Sequence, residues 1–150
     1  MVAVVTTPRG IRCKNPGNIE YGPFTKSMGA TGSDGRFAIS PTMVDGVRAL
    51  ACLLIVYYDK PLANRIDTVR EIINRWAPSS ENDTNAYVAA VCHLCQIGPD
   101  DLLNLRDFPT LYWLTVAIGE HENGHDAFTH SVSDADLDAG VYKALAWGRT

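Results

Sequence analysis

A mainly α fold, with five or six helices around a small irregular or short-stranded lobe, is what the sequence predicts, and three observations predict it. Apolar residues recur at three- and four-residue spacing over most of the chain beyond residue 40, the period of a helix with one buried face. Six of the twelve glycines fall in the first forty residues, where backbone shape rather than regular helix should dominate. Thr, Asp and Pro stand at the openings of the periodic stretches, where helices begin. With 150 residues and 46% apolar composition the chain supports one domain, residues 1–150, and is short for two. Charged residues make up 20% of it and no apolar run approaches the roughly 18 residues of a membrane span, so disorder and a membrane span are both excluded as expectations.

The elements follow in order. Arg36-Phe37-Ala38-Ile39 is the one strand expected in the first lobe, after the turn-forming Ser33-Asp34-Gly35. Ser40-Pro41-Thr42 signals the start of a long helix that buries Met43, Val47, Leu50, Leu54 and Tyr57 or Tyr58. Asp67-Thr68 caps a second helix to Trp76, with Val69, Ile72, Ile73 and Trp76 on its apolar face and Pro78 as its stop. Asp83 or Thr84 starts a third, to about Cys95. Pro99 and Pro109 open two further helices at a favoured first-turn position. Asp134 to Trp147 closes the chain, with Leu137, Val141, Leu145 and Trp147 inward.

Composition narrows the function. A formal net charge of -4, from 13 basic and 17 acidic residues, and no Lys/Arg block argue against nucleic acid as partner. Arg9, Arg12, Lys14, Lys26 and Arg36 gather in the first quarter and leave room for a local anionic ligand. Met1 to Thr7 is apolar but has no basic n-region and is short for a signal peptide, so Sec export is not expected. Cys13, Cys52, Cys92 and Cys95 do not describe a disulfide scaffold. The Cys92-His93-Leu94-Cys95 group lies in the helical stripe Tyr87, Val88, Val91, Leu94, Cys95, which reads as buried free thiols.

The strongest candidate for chemistry is Glu122. Leu111, Leu114, Ile118 and Glu122 share one face of a helix, so the carboxylate continues an apolar stripe. Partial desolvation favours the protonated form of a carboxyl, which a general acid needs. Gly124 suits the left-handed residue that ends many helices. The pattern alone fits a surface acid as well. It also contains His121-Glu122-Asn123-Gly124-His125, an H-E-x-x-H sequence in which two histidines one turn apart would bind zinc and the glutamate would polarise water in a metallopeptidase. That reading needs an unbroken helix, which Asn123-Gly124 opposes, and a third ligand, for which His130 is one residue too near. No metal or other cofactor is therefore expected.

Several blocks carry a family resemblance. Ile118-Gly119-Glu120-His121-Glu122-Asn123-Gly124 resembles the catalytic helix of lysozyme-like lytic transglycosylases and glucosaminidases, with Asn123 in place of a serine. Lys14-Asn15-Pro16-Gly17-Asn18-Ile19, Gly35-Arg36-Phe37-Ala38-Ile39 and Val44-Asp45-Gly46-Val47-Arg48-Ala49-Leu50 are similar to the segment that follows that glutamate in wall-degrading glucosaminidases. Trp76-Ala77-Pro78 and Glu81-Asn82-Asp83-Thr84-Asn85-Ala86-Tyr87-Val88 resemble the Glu-Thr-x-x-Tyr-Val helix of lytic transglycosylases. The glutamate helix comes last here, so the resemblance implies a circular permutation. The opening Arg9-Gly10-Ile11-Arg12-Cys13-Lys14-Asn15-Pro16-Gly17-Asn18-Ile19 and the His-Glu-Asn-Gly ending are similar to small phage virion and endolysin-like proteins, which carry asparagines at the positions of Cys13 and Lys14.

The resemblance implies a lysozyme-like α+β domain of the lytic transglycosylase/muramidase superfamily that cuts peptidoglycan at the MurNAc-GlcNAc β-1,4 bond, with Glu122 as general acid and base. A lytic transglycosylase needs no second carboxylate, whereas a muramidase does. Candidates for it are Glu20, Asp34, Asp45, Glu81 and Asp126, with Glu20 foremost because it follows the Asn-Pro-Gly-Asn-Ile turn. Asn15, Asn18 and Tyr21 are candidate sugar contacts. Tyr87 matches the tyrosine set near the catalytic acid, with Glu81 and Asn123 in support. The partner is the glycan strand, with a cognate immunity or inhibitor protein if delivery is by contact-dependent secretion. Made in the cytoplasm, such a bacteriolytic enzyme would reach the wall by holin release, in a virion, or as a secreted effector. A phage structural or wall-binding module without turnover is the non-enzymatic alternative.

Overall fold

The computed structural model describes residues 6–78 and 83–148. Five long helices dominate: α3 (Met43–Tyr58), α4 (Val69–Trp76), α5 (Thr84–Cys95), α6 (Phe108–Asn123) and α8 (Asp134–Ala146). Each begins on a residue that can cap it. Thr42, Thr68, Asp83, Asp107 and Ser133 accept from backbone amides of their first turns, satisfying donors that have no partner inside the helix. Ser133 and Asp136 do so reciprocally, the arrangement of a capping box.

α3 is the central element. Val47, Leu50, Ala51, Cys52, Leu54 and Ile55 are all fully enclosed, so it is covered on more than one face. Of the two tyrosines at its end, Tyr57 is the buried one. α8 crosses it closely at Gly140, where a Cβ would lie 2.5 Å from Val47 Cγ1. α4, α5 and α6 add Ile72, Ile73, Tyr87, Val91, Leu111, Leu114 and Ile118 to the same core.

The first lobe holds two short helices, α1 (Arg9–Arg12) and α2 (Pro23–Ser27), and an antiparallel pair, β1 (Gly32–Ser33) and β2 (Ala38–Ile39), with Gly32 opposite Ile39. Ile19 to Tyr21 lies beside this hairpin, with Ala38 N donating to Ile19 O and Tyr21 N to Arg36 O. The strand expected over 36–39 thus forms only at its second half, because Asp34 turns the backbone by accepting from the Arg36 and Phe37 amides.

Eight α-helices occur among the described residues, more than the five or six expected. The additions, α1, α2 and α7 (His125–Ser131), are 4, 5 and 7 residues long, too short to show an apolar repeat. The helix expected from Pro99 does not form. Its backbone is spent on α4: Arg70 N donates to Pro99 O, Leu103 N to Asp67 O, and Asp100 pairs with Arg70. No described helix is long and apolar enough to cross a membrane. The four cysteines are free thiols; Cys13 and Cys52 are buried, but Cys92 and Cys95 are only half-buried.

Candidate active site

Glu122 ends the apolar stripe as expected: Leu111, Leu114 and Ile118 are buried, while Glu122 is half-buried in the last turn of α6. Two side chains hold its carboxylate. The Asn18 Nδ2 amide donates to Oε1 at 2.9 Å, and the Tyr87 hydroxyl donates to Oε2 at 2.9 Å. Both oxygens are therefore oriented by groups from distant parts of the chain.

Asn18 is presented by a loop fastened on three sides. Asn15, itself buried, donates to Ile19 O and Ala38 O and accepts from Ile19 N, so the loop is tied to β2. Asn123 donates to Pro16 O at 2.9 Å, which ties it to α6. Trp76 Nε1 donates to Gly17 O at 3.0 Å, which ties it to α4. Lys14 and Asn18 adopt positive φ, 52° and 50°, giving the loop its tight path, and asparagine tolerates that region better than most residues. Gly10 lies beneath. A Cβ there would fall 2.4 Å from Asn123 Oδ1 and 2.6 Å from Asn18 Oδ1, so only glycine lets both amides come this close.

Tyr87 comes from the buried face of α5. Burial, and then the Glu122 carboxylate beside it, push its hydroxyl well above the ordinary tyrosine value, so it stays a donor at neutral pH. Its ring stacks on His121, 3.7 Å between centroids and 23° between planes.

The carboxylate opens onto a cleft of about 730 Å³. One wall is Gly17 to Glu20 with Arg36 and Phe37; the other is Leu53 and Tyr57 of α3 with Arg75 to Pro78 at the end of α4. Tyr57 and Trp76 meet edge to face, 6.2 Å between centroids. Aromatic faces beside hydrogen-bonding groups suit a ligand with apolar faces and hydroxyl rims.

The structure sorts the residues expected from sequence. Asn18 and Glu20 line the cleft with Glu122. Asn15 does not: it is 2% exposed and its amide is consumed by backbone, so it builds the loop rather than touching a ligand. Tyr21 lies outside the cleft lining, its ring under Lys26 Nζ at 5.2 Å. Tyr87 and Asn123 are buried supports of Glu122 and of the loop. Glu81 falls outside the described residues.

Of the other acids considered, Asp34 pairs with Arg9, Asp45 closes the α3 cap with Thr42, and Asp126 is exposed in the first turn of α7. Glu20 is paired with Arg36 at 2.8 Å. The basic cluster of the first quarter is thus partly neutralised from within.

Sequence reasoning passed over Tyr57, Arg75 and Phe37 as cleft residues. Pro78 was the available signal: a helix stopped there leaves its last-turn Arg75 and Trp76 at an open end.

The zinc geometry is absent for a backbone reason. α6 ends at Asn123, and Gly124, at φ 86° and ψ 146°, turns the chain directly into α7. Its φ is positive as expected, but ψ is extended rather than left-handed helical, a combination nearly confined to glycine. His121 and His125 therefore belong to different helices. His121 stacks on Tyr87, and His125 Nδ1 lies 3.1 Å from Glu120 Oε1.

Fold and site together define a mainly α domain built around a single clamped carboxylate at the mouth of an aromatic-lined cleft. No family model matches the chain. It is, however, 30% identical over 142 residues to Protein P5 of Pseudoalteromonas phage PM2, across 89% of this chain and 82% of that protein. The chain belongs to the family of that phage protein, in keeping with the phage kinship expected from its opening and its His-Glu-Asn-Gly motif.

Proposed function

We propose that this protein cuts the glycan strands of peptidoglycan at the MurNAc-GlcNAc β-1,4 bond, on a circularly permuted lysozyme-like domain, with Glu122 as general acid and then base. The observation that carries the proposal is the clamp on Glu122, two donors from separate elements aimed at its two oxygens beside an open cleft. Such a clamp fixes the direction in which a proton is delivered and stabilises the carboxylate left behind. Glu122 protonates the leaving glycosidic oxygen. In the lytic route the muramic 6-hydroxyl then attacks the anomeric carbon and returns its proton to Glu122, leaving a 1,6-anhydro end. The hydrolytic route needs a second acid. Among the described acids weighed from sequence, Glu20 alone lines the cleft with Glu122, and its engagement by Arg36 favours the route that needs one carboxylate. Kinship with a phage protein supports release by a holin or carriage in a virion as the way to the wall.

The test is Glu122→Gln, close in shape, with its amide oxygen able to accept from Asn18 and its NH2 able to donate to the Tyr87 hydroxyl oxygen, but unable to deliver a proton. Lysis of purified sacculi should fall on the order of 10²- to 10⁴-fold with the melting transition retained. A folded variant that lyses at the wild-type rate, or glycan binding with no turnover by the wild type, would defeat the proposal; the latter would leave a wall-binding module.

A further inference from the structure

Arg75 stands apart among the cleft cations. The other cation on the cleft lining among the described residues, Arg36, meets the Glu20 carboxylate. Arg75 instead has its guanidinium 6.0 Å from the Tyr57 ring, and among the described residues no carboxylate stands within ion-pair distance of it. It is exposed, it lines the same cleft as Glu122, and its neighbour Trp76 is held rigidly by the indole bond to Gly17 O. A guanidinium offers a planar fork that fits a carboxylate with two hydrogen bonds. A neutral acetamido sugar needs no such group.

We infer that Arg75 is a specificity residue that binds a carboxylate on the 3-O-lactyl arm of the muramic residue, so that the cleft prefers muramyl glycans to neutral GlcNAc polymers. The inference rests on the glycan reading above and deepens it. The carboxylate has two sources: the lactyl group itself, free when the peptide is removed, or the stem peptide attached to it.

The experiment measures binding to the Glu122→Gln protein, with and without Arg75→Gln, of three probes: a GlcNAc oligomer, an amidase-stripped muramyl oligosaccharide, and the same glycan carrying its stem peptides. Arg75→Gln should weaken a carboxylate-bearing probe roughly fivefold or more, as expected for a charge-assisted pair at a partly exposed site, and leave the GlcNAc oligomer unchanged. Loss on the stripped probe alone assigns the lactyl carboxylate, loss on the peptide-bearing probe alone assigns the stem, and loss on both means that Arg75 takes either carboxylate. Affinity for the affected probe should fall with salt, and Arg75→Lys should recover part of it. Equal loss on all three probes, or no loss on any, overturns this inference while wild-type cleavage of sacculi keeps the glycan reading. Absence of both cleavage and glycan binding overturns the two together.

Discussion

Placing a methyl group at Gly10 tests whether the loop, the clamp and Glu122 form one unit. In Gly10→Ala the new Cβ would sit 2.4 Å from Asn123 Oδ1, 2.6 Å from Asn18 Oδ1 and 2.9 Å from the Asn15 carbonyl oxygen, all inside contact distance. α1 gains up to about 1 kcal/mol of helix propensity from the exchange. Overpacking of this kind costs about 1–3 kcal/mol, and it can be relieved only by moving the asparagine that clamps Glu122 or the one that fastens the loop. Gly140→Ala is the matched control: its Cβ would meet Val47 Cγ1 at 2.5 Å, a comparable insult between α3 and α8. For a domain of this size each kcal/mol lost shifts the melting temperature by roughly 2–4 °C, so both variants stay folded in a 25 °C assay. Lysis should collapse in Gly10→Ala and stay near wild type in Gly140→Ala, with both transitions followed by calorimetry. Equal lysis by the two variants at equal fraction folded would refute the coupling between Gly10 and the carboxylate.

Tyr87→Phe removes a hydrogen bond to a charged group, about 1.5–3 kcal/mol, so sacculus cleavage should drop roughly 10- to 150-fold in initial rate while far-UV dichroism is unchanged. Glu20→Gln separates the two routes: retained cleavage with anhydro ends supports the single-carboxylate path, and loss of cleavage with Arg36 still folded in place supports a muramidase. Burial raises the Cys52 thiol from the ordinary 9.0 to about 11, so its contribution to stability is complete below pH 9 and is lost as pH rises through about 11. Denaturation midpoints between pH 8 and 11 should show that fall on the order of the two-unit window, and Cys52→Ala should flatten it. The Arg9 guanidinium holds the Asp34 carboxyl well below the usual carboxylate range. Its contribution is present above an unfolded carboxylate value near 4 and is lost as pH falls below it, so Asp34→Asn should flatten the acid limb of the stability curve.

Much of the fold is legible because long helices announce themselves twice, by an apolar repeat and by a cap. Thr42, Thr68 and Asp83 open α3, α4 and α5 where the pattern places them, and Pro109 lies in the first turn of α6. Short elements such as α1 and α7 carry no repeat, and the 99–107 segment follows tertiary bonds to α4 that no local signal encodes. At the site, Glu122 could be found from the stripe it terminates. Asn15 could not be sorted from Asn18 on sequence, because both are asparagines of one loop and only the fold decides which amide faces backbone and which faces Glu122. Arg75 and Tyr57 come to the cleft by the packing of α3 against the end of α4, a relation between residues far apart in the chain.

The central claim is that Glu122 breaks a glycosidic bond. Mass spectrometry of the fragments released from purified sacculi by the wild-type protein and by Glu122→Gln tests it most directly. The account predicts disaccharide-peptide fragments with anhydro or reducing muramic ends from the wild type, and none from the variant. Cut peptides on intact glycan, or the same glycan fragments from Glu122→Gln, would contradict it.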